Sequence, residues 1–170
     1  MPTKIRKKMM LERIENKILD LGRLKSVLET LKLGNKKTVF TNGCFDLIHR
    51  GHIDYLAKAR SLGDVLILGL NTDNSIRRIK GEQRPVQDEK SRSLIMASFV
   101  FVDYVVLFDE DTPFNLIKEI EPDILVKGAD YKPEDIVGYD IVKAKGGEIL
   151  TLEYLEGFST SNIIKKIKNF

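Results

Sequence analysis

The chain has 170 residues, enough for one domain with a real buried core. Its 42% hydrophobic and 31% charged residues are those of a globular domain, and no apolar run nears the ~20 residues that a bilayer-spanning helix needs. Residues 1–10 hold four basic groups and no acid, which leaves 24 basic and 25 acidic side chains on the other 160, so the net charge of +3 sits on the terminus of a near-neutral body. That tail reads as a solvated end. Attraction to nucleic acid or to a membrane surface is the sharper alternative, and neither partner is expected. Met1–Lys8 lacks the apolar core and cleavage site of a signal peptide. The single cysteine, Cys44, cannot form an internal disulfide, which agrees with a reducing, cytoplasmic setting.

Along the chain, Met9–Leu19 and Leu24–Leu33 read as two amphipathic helices flanking Gly22. Their apolar residues Met9, Met10, Leu11, Ile14 and Ile18 suggest packing on the body or on a second copy, hence a homodimer. Val39–Thr41 is a strand that runs into a glycine turn, and Ile53–Leu62 a helix with Leu56, Ala57 and Ala59 inward. Val65–Leu70 is a fully buried strand by its unbroken apolar character. Ser91–Phe99 is helical and Tyr104–Leu107 the next strand. Pro113 stands just inside a helix start with Thr112 as N-cap, and that helix stops before Pro122. Ile124–Val126 is a strand, Val142–Lys145 closes a helix at Gly146-Gly147, Glu148–Leu152 is the last strand, and Thr160–Ile167 the last helix. Five short apolar strands alternating with helices predict an α/β fold, a doubly wound five-stranded parallel sheet with extra N-terminal helices. Residues 1–35 form the helical extension and 36–170 a single globular domain. Ligands are expected at the carboxyl ends of the strands, where the strand order reverses.

Chemistry concentrates there. His49 and His52 are the only histidines, three apart, just after the first strand and Gly43, with Gly51 between them. Their ring N–H groups suit phosphoryl oxygens, and Gly51 lets backbone approach the same group. A surface accident or half a metal site is the competing reading. Ser159-Thr160-Ser161 opens the last helix after Gly157, and hydroxyls with free N–H groups at a helix start form an anion site or a simple N-cap. Lys80, with Arg77, Arg78 and Arg84, reads as a flexible cationic loop marked by Gly81 and Pro85, against the alternative of a solvated charged face. Arg92 is expected to face the strand ends and neutralise a substrate. Asp73 and Asp46 are candidates for sugar hydroxyls, although Asp46 serves equally well as a helix cap. Two histidines and one cysteine are too few for a zinc or iron site, so no protein-held metal is expected.

These segments carry a resemblance. Thr41-Asn42-Gly43-Cys44-Phe45-Asp46 with His49-Arg50-Gly51-His52, Gly69-Leu70-Asn71-Thr72-Asp73, Arg78-Ile79-Lys80-Gly81 with Arg84-Pro85, Val126-Lys127-Gly128-Ala129-Asp130-Tyr131, and Glu156-Gly157-Phe158-Ser159-Thr160-Ser161 together resemble the HxGH nucleotidylyltransferase superfamily. Within it they are most similar to the adenylyltransferases that form ADP-heptose from ATP and heptose 1-phosphate. The resemblance spans residues 38–168 and implies a Rossmann-like nucleotidyltransferase fold. It implies that His49, His52 and a mobile Lys80 act on the phosphates. Asn42, Gly43, Cys44, Phe45, Gly51, Arg92, Lys127, Gly128, Asp130, Glu156, Phe158, Ser159, Thr160 and Ser161 then serve the nucleotide, with Lys127 and Asp130 in its base-and-ribose region. Asp46, Asn71, Asp73, Arg77 and Arg84 serve the acceptor. Magnesium is expected to accompany ATP, bridging phosphate oxygens.

Such a transfer needs no strong base, because a sugar phosphate is already ionised at neutral pH. It needs in-line positioning and positive potential. A nucleophilic Cys44 is the rival idea, and direct in-line transfer does not require it. The alternatives in function are a cytidylyltransferase acting on glycerol 3-phosphate or a similar polyol phosphate, adenylylation of a flavin or coenzyme precursor, and a non-catalytic nucleotide- or RNA-binding module. Asn42 before Gly43, and Lys80-Gly81 with Arg84-Pro85, favour the heptose branch over the cytidylyltransferases. The 37 residues before the first strand are too few for a sugar kinase, so the sugar 1-phosphate is expected from a separate chain.

Overall fold

The computed structural model describes residues 3–169, with side chains from Met9 onward, so the basic run Lys4–Lys8 lies outside the described side chains. Helix α1 (Thr3–Glu15) leads to a two-residue strand β1 (Ile18–Leu19), and α2 (Leu21–Leu33) follows. Strand β2 (Thr38–Gly43), α3 (Arg50–Arg60), β3 (Val65–Asn71), α4 (Asp73–Lys80), α5 (Glu89–Ser98) and β4 (Tyr104–Phe108) make up the middle of the chain. Then come α6 (Phe114–Ile120), β5 (Ile124–Gly128), a short 3-10 turn (Pro133–Asp135), α7 (Tyr139–Ala144), β6 (Glu148–Leu152) and α8 (Thr160–Lys168).

The strands form one parallel sheet in the order β1-β4-β3-β2-β5-β6. The sheet therefore has six strands, not the expected five. The sixth, β1, lies inside the stretch read as a helix to Leu19, and pairs Ile18 and Leu19 with Val105 and Val106. Lys17 holds it there: its ammonium donates to the carbonyls of Phe99 at 3.0 Å and Val102 at 2.8 Å, at the end of α5. Asp20 caps α2 by accepting from Arg23 N at 2.8 Å, so Gly22 is within the first turn of α2 and not between two helices.

Alternate residues of each strand go to opposite faces, as the pleat dictates. Phe40, Ile67, Val106 and Leu125 join Leu24 of α2, Leu116, Ile117 and Ile120 of α6 and Val142 of α7 in one core. Val39, Leu66, Leu68, Val105, Ile124 and Val126 join Tyr55, Leu56 and Ala59 of α3 and Met96 and Ala97 of α5 in the other. Helices on both faces of a parallel sheet make the doubly wound arrangement. The chain leaves β2 toward β3 on one side and β5 flanks it on the other, so the switch point falls between β2 and β5. The residues Arg77, Arg78 and Lys80 are not in a loop: they occupy the last turn of α4, which Thr72 caps by accepting from Ser75 N at 3.2 Å. Pro113, not Thr112, takes the cap position of α6, with no side-chain bond. Among the described residues no helix is long and apolar enough to cross a membrane.

Candidate active site

The turn after β2 puts the histidines at the switch point. Phe45 is held at a φ of 43°, a left-handed conformation that a bulky residue adopts only under constraint. His49 occupies the N-cap position of α3 and His52 its first turn. Their rings stack with centroids 3.8 Å apart and planes 23° from parallel, and His52 also leans on Phe45 at 5.2 Å. A Cβ on Gly51 would stand 3.1 Å from the His49 ring and 3.3 Å from Cβ of Phe158, so the glycine lets the first turn of α3 close on both. The Nδ1 atoms of both histidines are buried without a hydrogen-bond partner. Burial lowers the pKa of each; for His52 the neighbouring charges of His49 and Lys80 add to it and bring it down to about 4. Both rings are thus neutral at pH 7, each with one N–H to donate and no acid beside it.

The histidine turn opens on a cleft of about 430 Å³ at the carboxyl ends of β2, β3 and β5. Asn42, Gly43, Cys44, Phe45, His52 and Lys127 line it, and so do Asn71, Lys80, Arg84, Gly128, Thr160 and an edge of Asp46. His49, Gly51, Asp73, Arg77, Arg92, Asp130, Glu156, Phe158, Ser159 and Ser161 do not. Burial pushes the Cys44 thiol up, with the cations Lys80, Arg92 and Arg84 opposing it, so the thiol stays protonated near neutrality.

Two residues expected to meet substrate are engaged elsewhere. Arg92 is fully buried and does not face the cleft. Its guanidinium donates to the carbonyls of Gln87 at 3.0 Å, Cys44 at 2.8 Å and Asn71 at 2.8 Å, and to Asp73 Oδ1 at 2.7 Å. It thus ties the histidine turn, the end of β3 and the start of α4 to the segment before α5. Asp46, also buried, accepts from Arg84 Nε at 2.8 Å and from the backbone N–H groups of Val86 and Gln87 at 2.9 Å. Burial works to raise the Asp46 pKa, but the Gln87 and Val86 N–H groups and Arg84 outweigh it and hold the carboxyl below its ordinary value. Asp46 caps no helix: it fastens the 84–87 segment to the histidine turn. Arg77 donates to Asn74 Oδ1 at 2.9 Å.

On the other side of the switch point, Lys127 donates to Asn42 Oδ1 and stands 5.9 Å from the centre of the Tyr131 ring. Burial pulls its pKa down to about 8, with the charge of Asp130 opposing. Gly128 makes room for Tyr154: a Cβ there would fall 2.0 Å from the Tyr154 hydroxyl oxygen. Tyr154 lines the cleft after β6, and burial raises its pKa to about 12. The sequence reading passed over it, as it did Tyr55, whose buried hydroxyl meets Thr41 Oγ1 at 2.8 Å. A polar aromatic just past a strand's carboxyl end was the available signal. Ser159 caps α8 by accepting from Asn162 N at 3.1 Å, while Thr160 donates to the Leu47 carbonyl at 3.3 Å and so docks the helix start on the histidine turn.

Among the described residues no three His, Cys, Asp or Glu side chains stand where they could hold a metal ion together. Two of the carboxylates around the site are committed: Asp46 to Arg84 and Asp73 to Arg92.

Neutral stacked imidazoles beside a cation-lined cleft at the switch point of a doubly wound sheet suit a nucleotidyl-transfer site. Residues 40–166 match the cytidylyltransferase-like family, and the chain belongs to it. The chain is 59% identical over 143 residues to the bifunctional protein HldE of Campylobacter jejuni, covering 84% of this chain and 30% of that one. It is 52% identical over 155 residues to that of Campylobacter concisus (91% and 32%) and 54% identical over 151 residues to that of Geobacter metallireducens (89% and 31%). The chain spans about a third of the length of these relatives. Among solved structures, the lipopolysaccharide core biosynthesis protein of Thermoplasma volcanium superposes with a TM-score of 0.56 at 28% identity, over 71% of this chain and 97% of that one. The pantoate-beta-alanine ligase of Francisella tularensis shares the fold, with a TM-score of 0.57 at 17% identity, over 90% and 78%.

Proposed function

We propose that the chain transfers AMP from magnesium-bound ATP to a heptose 1-phosphate, releasing pyrophosphate and ADP-heptose. The observation that carries this reading is the convergence of the five heptose-type segments on one cleft: each lies at a strand's carboxyl end or at a helix terminus around the stacked histidines. In this reading the sugar phosphate dianion attacks the α-phosphorus in line. His52 and His49 donate to the triphosphate as charge builds on it, and donors aimed at developing charge are worth most in such an enclosed site. Lys80, on the last turn of α4, brings a positive charge over the phosphates. Magnesium enters as the counter-ion of ATP. The helix start at Ser159-Thr160-Ser161 takes the outer phosphates.

The acceptor arrives already phosphorylated, by a kinase reaction that precedes this one. Residues 1–35 act as an extension of the body at 36–170. Met9, Met10 and Leu11 are each half exposed on α1, which supports a homodimer; a monomer mass in sedimentation would overturn that part. The reaction is placed in the cytoplasm, where ATP is available. Pyrophosphate release measured for ATP, CTP, GTP and UTP against heptose 1-phosphate and glycerol 3-phosphate tests the whole reading. Turnover is expected with ATP and heptose 1-phosphate. Turnover with CTP and glycerol 3-phosphate alone assigns the cytidylyltransferase alternative, and no turnover with any pair the binding module.

A further inference from the structure

Strands β2 and β5 pair only at Val39 with Ile124 and at Phe40 with Leu125, although β2 runs to Gly43 and β5 to Gly128. On its other edge β2 pairs with β3 through all six of its residues. The sheet is therefore split beyond Phe40 and Leu125, and the split is the switch-point crevice, where doubly wound sheets take their ligands. One side-chain bond crosses it, from Lys127 to the amide oxygen of Asn42.

That bond leaves a mismatch. Lys127 has no carboxylate within ion-pair distance among the described residues, whereas Arg84 and Arg92, which also pack around the histidine turn, are matched to Asp46 and Asp73. An amide oxygen and the Tyr131 ring at 5.9 Å compensate an enclosed ammonium only in part. The lowered pKa has the same cause, a loss of water that the charge of Asp130 does not offset. An anion in the crevice would supply what Asn42 does not.

We propose that Lys127 is a phosphate-binding residue which, on substrate entry, exchanges its bond across the crevice to Asn42 for one to a phosphoryl oxygen. This rests on the reading of the cleft as a nucleotidyl-transfer site. It departs from the assignment of Lys127 to the base and ribose, because the group it faces is Asn42 at the phosphate turn. The phosphoryl oxygen belongs either to the nucleotide or to the sugar phosphate, and binding measurements tell these apart.

The test is calorimetric titration of the full chain and of Lys127→Met and Lys127→Gln, which keep the side chain's length without its charge. The probes are a non-hydrolysable α,β-methylene ATP, adenosine, and heptose 1-phosphate. Loss of a charge-assisted bond to phosphate should weaken the phosphorylated probe on the order of 30-fold and leave adenosine within about twofold. Weakening confined to the ATP analogue assigns the nucleotide phosphate, and weakening confined to heptose 1-phosphate the acceptor phosphate. Equal weakening of adenosine and the ATP analogue, or no weakening of any probe, overturns the proposal.

A wild-type measurement covers the case in which neither variant folds. Reductive methylation with formaldehyde and cyanoborohydride, mapped by mass, should be slowed at Lys127 by inorganic pyrophosphate or heptose 1-phosphate but not by adenosine. Methylation of Lys127 that neither phosphate ligand slows overturns the proposal. If the wild type binds only cytidine nucleotides, the heptose reading fails, while the same comparison with α,β-methylene CTP and cytidine still decides the role of Lys127.

Discussion

The two ends of the sheet each carry a cleft, and the larger is at the end without the histidines. At the amino ends of β2, β5 and β6, Lys37, Thr38, Asp123, Lys145 and Glu148 border about 600 Å³, against 430 Å³ at the carboxyl ends. In the larger cleft Lys37, Asp123, Lys145 and Glu148 answer one another. Lys37 meets Glu148 at 3.1 Å, Lys145 meets Asp123 at 3.0 Å, and Asp123 also accepts from Thr38 N and Oγ1 at 2.7 and 2.8 Å. At the smaller cleft His52 Nδ1 is buried without a partner, as is Nδ1 of His49 stacked against it, and Lys127 has only an amide oxygen. Folding tends to satisfy buried polar groups, so those left unsatisfied point to a ligand. Unmet hydrogen bonds and charge mark the reactive end, and volume does not.

His52→Ala tests that contrast most strongly. Losing a donor made mainly to the transition state should lower kcat on the order of 100-fold, with a smaller effect on nucleotide affinity. Initial rates of pyrophosphate release measure it, and a loss under about fivefold would remove His52 from the chemistry.

How far the sequence reached follows the same division. The five long strands were legible because each carries a short apolar run; β3 is buried along its whole length, whereas β6 is fully buried only at Ile149. Strand β1 was not, because two residues leave no period, and the spacing of Ile14 and Ile18 suits a helix as well as a strand edge. Helix α4 was hidden by its charge: Ile76 and Ile79 are its only apolar residues, and the arginines drew the eye to a loop. The histidine turn could be read from local residues alone. Arg92 could not, since its four acceptors come from Cys44, Asn71, Asp73 and Gln87, and an arginine on a helix looks the same in sequence whether buried or exposed. The same holds for Asp46, whose partners lie 38–41 positions away.

The unpartnered histidine also makes stability depend on pH. The folded-state pKa of His52 is about 4 against an ordinary 6.5, so between these values the unfolded chain binds the extra proton and the folded chain does not. Stability from this group is whole above about pH 6.5 and falls as pH drops toward 4, by on the order of 2–3 kcal/mol. His49, shifted the same way, adds to the slope. The lowered carboxylates Asp46 and Asp123 act at lower pH, since their stabilisation is lost only as pH falls below their ordinary 3.8. Urea unfolding at pH 7.5, 5.5 and 4.5 should show the wild type losing more stability than His52→Gln across this range. Equal slopes would mean that His52 is not held neutral by its burial.

The smallest effect belongs to the opposite end of the sheet. Lys145→Ala removes a half-exposed ion pair with Asp123, and such pairs contribute ~1 kcal/mol or less. Asp123 keeps its bonds from the Thr38 backbone and hydroxyl, so its carboxylate is not left bare and β2 stays attached to the start of β5. Turnover should stay within twofold of the wild type, because the residues that line the reactive cleft come from the other ends of the same strands. This substitution is also the sharpest control on the contrast between the two clefts. If it lowered kcat more than fivefold with the melting temperature unchanged, the amino-end cleft would be acting on the reaction, and the matched charges there could no longer be taken as a sign of a purely structural surface.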